Sequence, residues 1–80
     1  MKTRIFQNAI GNRNKLRFLY WVDEVTIEPY YISFNKAGGK VLYGRVKGSN
    51  EIRKFEYKSI CNIKVLDFNK FSPIIPILSA

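Results

Sequence analysis

Lys15-Leu16-Arg17-Phe18-Leu19-Tyr20 is the stretch whose reading decides the fold class. Taken as an extended segment, it sends Leu16, Phe18 and Tyr20 to one side. Arg17, Leu19 and Trp21 go to the other, because successive side chains of a strand alternate between faces. Apolar residues on both parities predict a strand covered on one side by another element. Working outward, Val22-Asp23-Glu24 reads as a turn and residues 25–34 as a second strand. Pro29 has no amide to give to a ladder, so it marks an edge or a bulge. Asn35-Lys36-Ala37-Gly38-Gly39 reads as a hairpin loop, because glycine supplies positive φ without steric cost. Residues 40–47 form a third strand, Gly48-Ser49-Asn50 a turn, and residues 51–57 a fourth strand. Lys58-Ser59-Ile60 reads as a single helical turn into a fifth strand, residues 61–68. Short strands recurring about every ten residues predict a mainly-β chain folded as a small five-stranded barrel.

Upstream, residues of about 3–12 read as a helix. Ile5, Phe6, Ala9 and Ile10 form an apolar stripe at helical spacing. Thr3 is the expected N-cap, and Gly11 with Asn12 the expected left-handed end. So short a helix is not stable alone, and its stripe must dock on the sheet. At the other end, Phe71-Ser72-Pro73-Ile74-Ile75-Pro76-Ile77-Leu78 is apolar, and its prolines bar a regular helix or a central strand. It is expected to be extended. Either it lies along the barrel and completes the core, or residues 71–78 offer a patch to a second copy or another protein. The expected organisation is a single domain, 1–80, with a barrel over about 15–68 and a tail over 70–80.

At 46% hydrophobic and 15% aromatic the chain is too apolar for disorder. No apolar run reaches the roughly 18 residues of a membrane span, so no membrane association is expected. The basic start lacks the apolar core of a signal peptide. The lone cysteine, Cys61, cannot close an internal disulfide. It reads as a buried, inert thiol on a strand, in a protein of the reducing cytoplasm. Fourteen Lys and Arg against six acids give a formal charge of +8, which draws polyanions at long range and is screened by salt.

The chain has no histidine, the commonest general base and metal ligand. With one cysteine, no thiolate zinc site is expected. Neither catalysis, nor a metal, nor a cofactor is therefore expected. A carboxylate pair of Glu28 and Glu56 brought together by folding is one alternative, and ion pairs with Lys or Arg are the better expectation in so basic a chain. Gly38-Gly39 lacks the framework of a phosphate loop and reads as a turn. The cations carry more information. Tyr43 and Arg45 share one parity of the third strand, and Arg53 shares a parity with Phe55 in the fourth. Arginine grips phosphate with a planar fork, and tyrosine offers a stacking face. Arg17, Tyr20, Tyr43, Arg45 and Arg53 are the candidate binding residues, the last four expected to line one anion site. The alternative is that these tyrosines edge the core and the arginines are merely solvated.

The order of segments resembles the WYL domain, a small bacterial regulatory module, from about Ala9 to Phe71. The resemblance rests on Ala9-Ile10, the basic aromatic strand Lys15 to Tyr20, the step Ile27-Glu28-Pro29, the Gly-rich turn, Arg53-Lys54-Phe55 with Ile60, and Phe68 or Phe71. The naming Trp-Tyr-Leu triplet stands here as Lys40-Val41-Leu42. Ser59 and Glu56 occupy positions that are often basic. The resemblance implies an SH3-like or Sm-like barrel. It also implies a sensor or transcription-regulation module that binds nucleic acid or a nucleotide-like ligand. Residues and resemblance together lead to an expected non-catalytic module for single-stranded nucleic acid or a small anionic nucleotide-like ligand. The alternative is a protein-interaction or oligomerisation module. A small nuclease or toxin would need a general base that the sequence does not offer.

Overall fold

The computed structural model describes residues 1–72, apart from the side chains of Phe68 and Asn69. The element order is helix α1 (Lys2–Asn12), strands β1 (Asn14–Tyr20), β2 (Asp23–Phe34), β3 (Lys40–Val46) and β4 (Ile52–Glu56), a 3-10 turn (Tyr57–Ser59) and β5 (Ile60–Lys70). The strands form one antiparallel sheet in the order β4-β3-β2-β1-β5. The mainly-β composition, the short N-terminal helix and the five strands agree with the sequence reading. Among the described residues no ladder joins β4 to β5, so the sheet is open.

The sheet nevertheless curls. β1 and β4 are separated in it by β2 and β3, yet the Phe55 ring meets Phe18 at 5.4 Å and Tyr20 at 5.0 Å, both edge-on. The Glu56 amide donates to the Tyr20 hydroxyl at 3.1 Å. A flat sheet would hold those strands well apart, since neighbouring strands lie about 4.8 Å from one another. Phe6, Ala9 and Ile10 of α1 close the concave side over Leu16, Phe18, Ile27, Leu42, Phe55 and Ile60. Burying such side chains contributes on the order of 2 kcal/mol each and offsets the weakness of a helix this short.

Several local expectations are corrected. Thr3 does not cap the helix: Met1 is the N-cap position, without a side-chain bond. Arg13, not Gly11 or Asn12, takes the left-handed position at the helix end, with φ 59. Its amide reaches the Ile10 carbonyl at 3.2 Å. The β1–β2 turn falls at Trp21-Val22. Trp21 itself sits at φ 59. Pro29 does mark a bulge, because Tyr30 is the extra residue between the pairs Pro29↔Gly44 and Tyr31↔Tyr43. Cys61 is exposed, not buried. The ladder of β1 with β5 slips between Arg17 and Leu19, and Asn62 turns to φ 54, so simple alternation fails at the start of β5.

Of the apolar tail, Phe71 and Ser72 are described. Phe71 is 5% exposed, packs against Tyr30 at 5.7 Å and donates its amide to the Arg13 carbonyl at 3.1 Å. The remainder of the 71–78 segment lies outside the described residues. Among the described residues no helix is long and apolar enough to cross a membrane.

Candidate anion-binding cleft

The register separates the residues expected to form one site. Glu28↔Arg45 and Tyr31↔Tyr43 are cross-strand pairs on the convex face of the sheet. Arg17 shares that face through its pairing with Thr26, two residues before Glu28. Arg53 pairs with Gly44, one step out of phase with Arg45, and so lies on the other side. There its guanidinium carbon stands 4.9 Å from the centre of the Phe55 ring. Tyr20 packs against the core and uses its hydroxyl on the Glu56 amide. Arg45, Arg53, Tyr20 and Tyr43 therefore do not line one site.

Each has a local role. Arg45 forks onto Glu28, with Nε to Oε1 at 2.9 Å and Nη2 to Oε2 at 2.8 Å. Its Nη1 also reaches the Ser49 carbonyl and the Asn50 side chain, both at 3.3 Å, and so pins the β3–β4 connection. The hydrogen bonds to Glu28 hold the guanidinium pKa above its already high ordinary value. The ion-pair expectation for Glu28 is met. Tyr43 stacks on Tyr31 at 4.7 Å. Arg17 borders a depression of about 380 Å³ with Leu19, Glu24 and Lys64.

The larger cleft, about 700 Å³, lies elsewhere: where the start of α1, the 35–39 hairpin and the 3-10 turn meet at one end of the sheet. Asn35 builds the hairpin. Its Oδ1 accepts the amides of Ala37 at 3.0 Å and Gly39 at 2.8 Å, while Gly38 takes φ 85. Its amide nitrogen reaches Glu56 Oε2 at 3.4 Å and ties the hairpin to the end of β4. The 3-10 turn then exposes Lys58 and tucks the Tyr57 ring edge-on against Phe6 at 5.1 Å. Lys2 Nζ donates to the Tyr57 carbonyl at 2.5 Å, and Lys40 Nζ to the Thr3 hydroxyl at 3.1 Å. The Thr3 and Tyr57 hydroxyls lie 3.3 Å apart. Burial pushes the Tyr57 hydroxyl pKa up, and the bond with Thr3 opposes that shift.

Lys2, Lys40 and Lys58 thus line the cleft against one carboxylate, Glu56. The first turn of α1 carries no acidic residue and no side-chain cap, so its free amides add partial positive charge at the same end. The volume is that of an ordinary small-ligand site. Parity along strands did not find this cleft, because its residues come from a helix start, a hairpin, a 3-10 turn and strand ends. The signal available in the sequence was the basic residue in each: Lys2, Lys40 after the glycines, and Lys58 in the helical turn. Among the described residues no cluster of His, Cys, Asp and Glu is suited to hold a metal. Comparison with protein-family models, with curated proteins and with solved structures finds no match for this chain.

Proposed function

We propose that this chain is a non-catalytic binding module whose cleft takes the phosphate of a nucleotide-like ligand or of single-stranded nucleic acid. The observation that carries the reading is the convergence of Lys2, Lys40 and Lys58 on one cleft of about 700 Å³. The +8 charge supports it by drawing polyanions, and the absence of histidine supports binding over bond cleavage. The curled sheet is read as an SH3-like or Sm-like barrel, on the strength of the contacts that bring Tyr20 to Phe55 and Glu56. The resemblance to the WYL domain adds a regulatory role. The competing interaction reading relies on residues 71–78 and on the exposed edge strands; of that tail Phe71 packs against Tyr30.

The test is a binding titration of nucleoside monophosphates, diphosphates and short DNA and RNA oligonucleotides at low and high salt. Each charge-assisted contact is worth about 2 kcal/mol. Replacing Lys40 and Lys58 together by Glu is therefore expected to weaken binding at least a hundredfold with the fold intact. Equal binding by wild type and double variant would remove the cleft from the account. Absence of binding to every phosphorylated ligand at low salt would remove the reading itself.

A further inference from the structure

The two aromatic side chains most open to solvent among the described residues belong to segments that adjoin this cleft. Trp21 is 68% exposed and Phe34 64% exposed. Phe34 is the cross-strand partner of Lys40, which lines the cleft. Directly opposed residues of an antiparallel pair place their side chains about 5 Å apart on one face. Trp21 donates its amide to the Ser59 carbonyl at 3.1 Å, and Ser59 follows Lys58, which also lines the cleft. Each exposed ring thus belongs to a residue joined by backbone pairing to a segment that supplies a lysine to the cleft: Phe34 to Lys40, and Trp21 to Ser59 beside Lys58.

Trp21 is held there at some cost. Its φ of 59 lies in the left-handed region, which bulky residues avoid and which glycine or asparagine adopts easily. Its ring stands edge-on to Tyr20 with centroids 6.5 Å apart and is two-thirds exposed, so core packing does not account for a tryptophan at this position. A large exposed ring in a strained turn motivates a functional reading.

We propose that Trp21 and Phe34 are base-stacking platforms, which makes the ligand of the cleft a single-stranded oligonucleotide rather than a lone nucleotide. The inference rests on the phosphate reading of the cleft. Stacking suits single strands, because an unpaired base offers its flat face to an aromatic ring regardless of sequence. A mononucleotide reaches the lysines alone. A strand that crosses the cleft reaches the lysines and both rings.

Trp21 is the only tryptophan of the chain, so its fluorescence reports on one side of the track. The experiment titrates wild type, Trp21→Ala, Trp21→Phe and Phe34→Ala with adenosine monophosphate, a six-nucleotide DNA or RNA and vesicles of anionic phospholipid. Melting curves establish that each variant is folded. The hexanucleotide is expected to quench Trp21 and to bind more tightly than the mononucleotide. Trp21→Ala and Phe34→Ala are each expected to weaken hexanucleotide binding about tenfold and to leave mononucleotide binding unchanged, while Trp21→Phe keeps most of the affinity. Hexanucleotide affinity unaffected by either alanine, with the mononucleotide still bound, overturns the stacking proposal and spares the cleft. A blue shift with vesicles but no response to the hexanucleotide also overturns it, and assigns the rings to a lipid surface. Failure of both nucleotides to bind overturns the cleft reading and this inference with it.

Discussion

Arg13 ends α1 in the left-handed region without a glycine's freedom there. A side chain in that conformation costs about 1 kcal/mol or more. The Arg13 side chain is exposed, and the backbone bonds that Arg13 donates to Ile10 and accepts from Phe71 do not depend on it. Arg13→Gly is expected to stabilise the protein by about 1 kcal/mol, read as a higher denaturant midpoint at unchanged slope. A lower midpoint would show that the residue has a contact beyond the cap. The arginines of the sheet differ from one another in the same way. Arg45 neutralises Glu28, whose side chain is only 11% exposed, so Arg45→Ala strands a sheltered carboxylate and is expected to lower the melting temperature clearly. Arg53 lies over Phe55 from solvent, and Arg53→Ala is expected to cost at most about 1 kcal/mol. Equal losses would refute the distinction. Tyr57 adds a pH signature. Its pKa is raised above the ordinary 10.0, so its contribution is complete below that pH and is lost as the pH climbs toward the higher folded value. The wild-type melting temperature is expected to fall more steeply above pH 10 than that of Tyr57→Phe, and parallel curves would contradict this. At this scale the sequence was least legible. Alternation gave each side chain a face, but the pairing register decided whether two faces coincide.

The elements were more legible, because each leaves a periodic trace. The α1 stripe of Phe6, Ala9 and Ile10 was visible at helical spacing and is buried. The strands were visible as apolar and aromatic runs between turn residues. Pro29 announced the bulge at Tyr30, where the β2–β3 register shifts by one residue. Two features escaped. Cys61 and Asn62 sit where the β1–β5 ladder slips, and no periodicity reports a slip in a partner strand. Gly44 looked like an ordinary strand residue, yet a Cβ there would stand 2.8 Å from the Glu28 carbonyl and 2.7 Å from Ile27 Cδ1. The carbonyl is backbone and cannot yield. Gly44→Ala is expected to cost about 2 kcal/mol and to show as a lower melting temperature. A neutral outcome would mean that β2 and β3 can separate slightly without loss.

For the molecule as a whole, the charge was legible from the residues but not the place where it converges. The +8 was countable, whereas the cleft needs a helix start, a hairpin and a 3-10 turn to meet at one end of the sheet. Those residues are far apart in the chain and share no periodicity, so only the folded arrangement unites Lys2, Lys40 and Lys58. The sheet order carries one more consequence. β1 is flanked by β2 on one side and by β5, drawn from residues 60–70, on the other. A nascent chain emerging from the ribosome therefore holds its first strand with one side bare until nearly the last residues of the sheet have been made. Such distant pairing slows folding and leaves a sticky edge in the meantime. Refolding of the sheet is therefore expected to wait on β5, the last of its strands along the chain.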